Sequence, residues 1–269
     1  KGAVLLGLSD NVVLKVLQLN EAGGKWTSKE LALPPNGSAG VSFADEEESA
    51  AFLTFENYLS PDALYTYDVG SGALKQIKSL PAWFDAAPYQ ADQYDAISKD
   101  GTKVPYFVVH KKGIALDGSN PTLLYGYGGF QVSQTPSYSG TVGKLWLEQG
   151  GVYVMANIRG GGEFGPAWHQ AGLKLKRQVV YDDFIAVAED LIAKKITSKD
   201  KLGAMGGSNG GLLMGVMFTQ RPDLFKGRAG YTGIDATPSQ KDPAWAFAIA
   251  RYNSDGSLDT SFGTGGRVS

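Results

Sequence analysis

The sequence has 269 residues, 43% of them hydrophobic, with a formal charge of −2 and no cysteine. That is enough chain for one large or two ordinary domains with a sizeable core. It excludes disulfides and thiolate metal sites, and the small net charge points away from nucleic acid and anionic membranes as partners.

No apolar run reaches membrane-spanning length and no signal-peptide pattern is visible. Cytoplasm and periplasm are both compatible with this sequence. The chain begins at Lys1 rather than a methionine, so an N-terminus beyond it is expected.

Residues 1–80 read as all-β. Short β-type runs at 2–8, 12–19, 26–33, 41–43, 50–55 and 63–69 are separated by turn chemistry such as Ser9-Asp10-Asn11 and Pro34-Pro35-Asn36-Gly37. Four strands in roughly 40 residues is the rhythm of a propeller blade. One to two blades fit here, so a propeller remnant is expected. The acidic run Asp45-Glu46-Glu47-Glu48 lacks metal-ligand spacing and reads as a solvated turn.

A linker at 79–88 leads to a hairpin, with β-type runs at 93–98 and 103–110 flanking Lys99-Asp100-Gly101. His110, at its end, reads as an exposed or capped side chain. From about residue 120 strand and helix alternate, which implies a parallel sheet with helices on both faces. The strands are expected at 121–125, 151–157 and 201–205, and the helices at 142–149, 182–195 and 211–220. In the second helix Phe184, Val187, Ala188, Leu191 and Ile192 share one face. Asp182 and Asp183 are expected in its first turn and Lys194 and Lys195 in its last, in accord with the helix dipole.

The glycine-rich turns at 126–129, 160–162 and 206–211 all follow strands and should gather at the carboxyl edge of the sheet, where sites of open α/β sheets lie. The third is Gly206-x-Ser208-x-Gly210 between an apolar strand and an apolar helix. That is the spacing of a nucleophile elbow, in which a strained turn lifts a serine hydroxyl clear of the sheet. The flanking glycines are needed because strand and helix backbones approach closely. The Arg159 turn lacks the lysine and spacing of a phosphate loop. The turn around Tyr127 lies where α/β-hydrolases place half of the oxyanion hole, the other half being the N–H after the nucleophile, here Asn209. From spacing alone, Tyr127 reads as a packed loop aromatic before it reads as an oxyanion donor. His169 precedes Ser208, whereas α/β-hydrolases run Ser, acid, His.

Several motifs, in order and properly spaced, resemble the prolyl oligopeptidase family of serine peptidases: Tyr125-Gly126-Tyr127-Gly128-Gly129-Phe130, Ala156-Asn157-Ile158-Arg159-Gly160-Gly161-Gly162-Glu163, Tyr181-Asp182-Asp183-Phe184, Gly206-Gly207-Ser208-Asn209-Gly210-Gly211 and Gln220-Arg221-Pro222-Asp223-Leu224-Phe225. The resemblance implies a seven-bladed propeller paired with an α/β-hydrolase domain, and a short peptide cut after proline as substrate. It implies Ser208 as nucleophile, Tyr127 and Asn209 as oxyanion donors, and Phe130 as a wall of the proline pocket. No cofactor and no metal are implied.

After Phe225 the resemblance changes. The tail from about Arg228, with Phe247-Ala248-Ile249-Ala250-Arg251-Tyr252-Asn253-Ser254-Asp255-Gly256-Ser257-Leu258-Asp259-Thr260-Ser261-Phe262-Gly263-Thr264-Gly265-Gly266, is similar to one delta-60 repeat of large bacterial repeat proteins. Asp255 and Asp259 there read as turn residues rather than calcium ligands. The expected domains are therefore a propeller remnant at 1–80, a partial α/β-hydrolase domain at 81–227 and a foreign, repeat-like tail at 228–269. No histidine follows Ser208, so the sequence predicts a chain truncated before the catalytic Asp and His, inactive by itself, whose sheet ends on an unprotected edge beside the elbow strand. Two alternatives stay open: a non-catalytic repeat or interaction protein carrying a dead hydrolase fold, and a general serine esterase.

Overall fold

The computed structural model describes residues 3–231, 234–235, 245–246, 249–250, 260–261 and 267–268. Two compact units form, Lys1–Asp92 with Thr135–Glu148, and Gln93–Gln134 with Gln149–Ser269.

In the first unit, β1 (Ala3–Asp10), β2 (Val13–Ala22) and β3 (Lys25–Glu30) are antiparallel neighbours. The next four strands, β4 (Gly37–Ala44), β5 (Ala50–Asn57), β6 (Ala63–Asp68) and β7 (Leu74–Ser79), form an antiparallel meander. A single parallel bridge, Leu14 to Ser38, joins the two sets. The result is one complete blade and three strands of another. Alternation sets the core, with Ala51, Leu53 and Phe55 of β5 turned inward beside Val16, Leu31, Ala39 and Tyr67. Strand β7 was invisible to periodicity because only Leu74 and Ile77 in it are apolar, and its residues beyond Leu74 are exposed. The acidic run lies exposed between β4 and β5, with the Asp45 carboxylate accepting from Glu47 N at 2.7 Å.

This unit reaches past residue 80 and also includes 135–148. Phe84 stacks on Tyr138 with centroids 5.4 Å apart, Tyr138 N donates to Glu56 Oε2 at 2.8 Å, and Ser38 Oγ donates to Pro136 O at 2.6 Å. The helix expected at 142–149 is a shorter α1 (Gly140–Leu145), capped by Ser139, followed by a 3-10 turn at Leu147–Gln149. It lies with this unit because Phe84 fills the space where Gly143 has no side chain.

The second unit is a six-stranded sheet of β8 (Tyr89–Ile97), β9 (Lys103–Lys111), β10 (Thr122–Tyr125), β11 (Val152–Ala156), β12 (Leu202–Gly207) and β13 (Gly227–Tyr231), in the order β13-β12-β10-β11-β9-β8. Strands β10 to β13 run parallel, whereas β9 is antiparallel to β11. The expected hairpin thus joins the sheet as its antiparallel side. Tyr125 is level with both Met155 and Met205, so the turns after β10, β11 and β12 start at one height. The chain leaves β10 for β11 on one side and reaches β12 on the other, which makes the end of β10 a topological switch point. Helices α2 (Pro166–Gln170), α3 (Gln178–Ala193) and α4 (Asn209–Gln220) lie in this unit. Phe184 of α3 is fully buried against Phe225, ring centroids 6.1 Å apart, with Val187, Leu191, Leu213 and Met217 in the same core.

Three expectations are corrected. The elbow strand is not an edge, because β13 pairs along it from Gly203–Gly227 to Gly207–Tyr231. Residues 228–231 are therefore part of this sheet. Helix α3 starts at Gln178, a turn earlier than expected, which puts no acidic residue in its first turn and no basic residue in its last. Asp183 serves a buried arginine instead of the helix dipole. His110 is buried rather than exposed, with Nδ1 2.8 Å from Lys111 O. The repeat-like tail lies mostly outside the described residues, including Asp255 and Asp259.

Candidate active site

Strand β12 ends at Gly207, helix α4 begins at Asn209, and Ser208 stands alone between them, exposed, at φ 53° and ψ −112°. A non-glycine residue at such a φ is strained by about 1–3 kcal/mol and persists only where its surroundings over-determine it. The surroundings here are backbone. A Cβ on Gly206 would lie 2.5 Å from Gly210 O and 2.9 Å from Gly126 O, and one on Gly210 would lie 2.5 Å from Gly126 O. Only glycine at both positions lets the strand, the helix and the Gly126 turn meet. As the first residue of α4, Asn209 offers an N–H that has no partner within the helix, beside the positive end of the helix dipole.

The three glycine-rich turns converge as the sequence predicts. A Cβ on Gly129 would sit 2.5 Å from the Asn209 amide, and one on Gly160 would sit 2.5 Å from Gly128 O. Tyr127 is half-buried on the first turn. Its carbonyl accepts from Asn209 Nδ2 at 2.5 Å, and Asn209 Oδ1 accepts from Arg177 Nη2 at 2.9 Å. The Arg177 guanidinium in turn lies 5.7 Å from the centre of the Tyr181 ring. The Asn209 side chain therefore ties the Tyr127 turn to the Ser208 turn, a task the spacing of Gly-x-Ser-x-Gly does not reveal. Phe130 is 75% exposed and, like Gln131 after it, lies at positive φ, 54° and 58°.

The second turn is anchored by ions. Arg159 and Asp183 are 7% and 0% exposed at their side chains, joined by Nη2–Oδ1 and Nε–Oδ2 hydrogen bonds of 2.6 and 2.9 Å. Asp183 also accepts from Arg159 N at 3.0 Å and Ser98 Oγ at 2.6 Å. Arg159 reaches Asp100 at 2.5 Å, and that hydrogen bond holds the Asp100 carboxyl well below the usual carboxylate range. Asp183 had a legible signal, since three residues after Val180 and four before Val187 a carboxylate falls on the buried stripe and must find a partner. Arg177 and Glu163 had none.

His169 sits on α2, with Nδ1 2.7 Å from Gly160 O and 3.1 Å from Gln131 N. Among the described residues no cluster of metal-ligating side chains occurs, and no helix is long and apolar enough to cross a membrane.

Comparison with known proteins places these features in context. Residues 3–80 match the prolyl oligopeptidase N-terminal β-propeller domain, and residues 136–258 match the prolyl oligopeptidase family. The second match runs past the boundary expected at 227. An uncharacterized peptidase of Sinorhizobium fredii is 56% identical over 84% of this chain and 31% of its own length. A prolyl endopeptidase of Elizabethkingia miricola is 42% identical over 74% of this chain and 28% of its own. The structure of a post-proline cleaving enzyme from Rickettsia typhi superposes with a TM-score of 0.75 at 46% identity, covering 87% of this chain and 34% of that one. The chain spans about a third of the length of the relatives it matches.

Proposed function

This chain belongs to the prolyl oligopeptidase family, and we propose that it carries the nucleophile side of a serine peptidase that cleaves short peptides after proline. The observation that carries the reading is the Ser208 turn, a strained serine between β12 and α4 whose flanking glycines both press on Gly126 O. In the proposed reaction the Ser208 hydroxyl adds to the scissile carbonyl carbon and its proton passes to a general base. The Asn209 N–H and the Tyr127 hydroxyl receive the oxyanion. Collapse of the intermediate expels the amine, which takes up the proton, and leaves an acyl-enzyme for water to hydrolyse. Phe130 supplies one wall for the proline ring.

A serine hydroxyl is a weak nucleophile without an adjacent base. Both histidines of this chain precede Ser208 and bond elsewhere, His110 to Lys111 O and His169 to Gly160 O. We therefore propose that the triad Asp and His are supplied beyond this chain, and that the chain alone is inactive. For residues 228–269, the pairing of β13 on β12 and the family match through residue 258 favour continuation of the family domain over a delta-60 repeat.

A fluorophosphonate probe tests this reading. The 269-residue chain should label weakly or not at all. A chain extended to the relatives' full length should label strongly and lose the label in Ser208→Ala. Strong Ser208 labelling of the short chain would overturn the missing base. With the extended chain, turnover of a simple acyl ester but not of a proline-containing peptide would turn the reading to an esterase.

A further inference from the structure

Arg177 stands just ahead of α3 as its N-cap residue, half-buried, and its Nη2 donates to Asn209 Oδ1 at 2.9 Å. The guanidinium lies over the ring of Tyr181, one turn further along, 5.7 Å from its centre. Tyr181 is 8% exposed, so the ring is a fixed platform. Arginine suits this place because its planar head stacks on a ring and donates from its edge at the same time, which a lysine does not.

Two partners decide which way the Asn209 amide faces. A guanidinium only donates and a main-chain carbonyl only accepts. Oδ1 therefore turns to Arg177, and Nδ2 turns to Tyr127 O at 2.5 Å. The reversed amide would set donor against donor at Arg177 and acceptor against acceptor at Tyr127. The amide also packs on the same turn, since a Cβ on Gly129 would lie 2.5 Å from Nδ2. Val180, in the first turn of α3, fills the adjoining space, 2.5 Å from the Cβ position of Gly128. The start of α3 thus bears on the Tyr127 turn directly at Gly128, and through Asn209 at Tyr127 and Gly129.

We infer that Arg177 is a positioning residue for the oxyanion donors: its bond to Oδ1 commits Nδ2 to Tyr127 O and so fixes the Tyr127 turn against the start of α4. The role rests on the peptidase reading, in which these two residues carry the two donors, the Tyr127 hydroxyl and the Asn209 N–H. Such donors act by being held in place before the charge develops. Without the Arg177 bond the Asn209 amide is free to rotate, and the link between the two donor-bearing residues loosens. The oxyanion forms only on the way through the transition state. Loosening its donors should therefore lower kcat and kcat/KM alike and leave KM in place.

The test uses the chain extended to the relatives' full length, with each variant assayed well below its own unfolding midpoint. Arg177→Met keeps an apolar stem and cannot donate. Removing an oxyanion donor outright costs about 100- to 1000-fold in kcat, and displacing one should cost about tenfold. Turnover of a proline-containing peptide by Arg177→Met should fall by that factor, with KM within about twofold of the parent. On an Asn209→Ala background, which keeps the N–H, the same exchange should cost nothing further, because its effect passes through the Asn209 side chain. Asn209→Asp still accepts from Arg177 but does not donate to Tyr127 O, and should lose as much as Asn209→Ala. An undiminished kcat in Arg177→Met or Asn209→Asp would overturn the role. So would an equal loss from Arg177→Met on the Asn209→Ala background, which would mean that the guanidinium acts by its charge alone. The rate of fluorophosphonate labelling separates this from the substrate class, because the probe needs the oxyanion donors and not a proline pocket. A parent that fails to label would remove the Ser208 reading and this role with it. A parent that labels no faster than Arg177→Met would remove the role alone.

Discussion

Ser208 and the Phe130–Gln131 pair both sit at positive φ on turns of the same sheet, and they are kept there by different means. Around Ser208 the restraint is backbone against backbone: Gly206 and Gly210 leave no space for a Cβ, and Gly126 O fills the gap. Around Phe130 the restraint is polar and remote. Glu163 and Asn157, both on the turn that follows β11, hold the main chain of residue 134, and on α2 the His169 Nδ1 lies 3.1 Å from Gln131 N. The first turn is written in five consecutive residues that pack on the Gly126 main chain, the second in side chains up to 38 positions away. A turn of the first kind fails when volume is added. A turn of the second kind fails when a polar group is removed.

The largest effect is expected at the ionic anchor beneath the polar turn. Asp183→Ala leaves the Arg159 guanidinium, 7% exposed, without its fully buried partner. Breaking such a pair from one side costs about 3–5 kcal/mol. Thermal or urea unfolding of the variant should show a loss of that order. A loss below ~1 kcal/mol would mean that Asp100 alone satisfies Arg159, and that the anchor contributes little to holding the turn.

The backbone-packed turn is broken from the other direction. Gly210→Ala places a methyl 2.5 Å from Gly126 O, and the Tyr127 turn must retreat, stretching the Asn209 Nδ2–Tyr127 O bond. Overpacking of this kind costs about 1–3 kcal/mol. Gly215, one turn further along α4, has nothing within 4 Å of its Cβ position. Gly215→Ala should therefore stabilise the chain by about 0.5–1 kcal/mol through helix propensity and reduced freedom of the unfolded chain. Denaturation midpoints of the pair check the contrast, and equal effects at the two positions would remove the case for backbone packing.

The same contrast explains what the sequence reveals. The blade strands β4 to β6, the parallel strands and the Ser208 turn are local patterns of alternation, apolar runs and glycine spacing. The convergence of the three glycine turns follows from strand–helix alternation alone. Strand β7 escaped because a solvated outer strand carries little hydrophobic signal. The placement of 135–148 with the first unit escaped because Phe84, Tyr138 and Glu56 meet only after folding. Pairing of β13 on β12 was obscured by the change of resemblance after Phe225. Arg177 acts through the Asn209 side chain and Glu163 through the Gln134 N–H, and the motif that contains Glu163 does not show which main-chain group it holds.

The smallest effect tests whether the strain at the two turns is of one kind. Ser208→Gly and Phe130→Gly each replace a residue at positive φ with one that adopts it freely. Relief of about 1–3 kcal/mol of strain is offset by the roughly 0.5–1 kcal/mol of extra freedom that glycine gains in the unfolded chain. Both exchanges should be neutral to about 2.5 kcal/mol stabilising on that ground. The side chains differ in what they give up: both are exposed, but only Phe130 carries a large apolar surface. If each ring or hydroxyl contributes nothing to the fold, the two variants should gain alike, and the strain is a cost borne for presenting the group. A gain for Ser208→Gly paired with a loss for Phe130→Gly in the same denaturation series would instead show that the Phe130 ring packs to hold its own turn, leaving Ser208 as the one side chain lifted into solvent at the expense of stability.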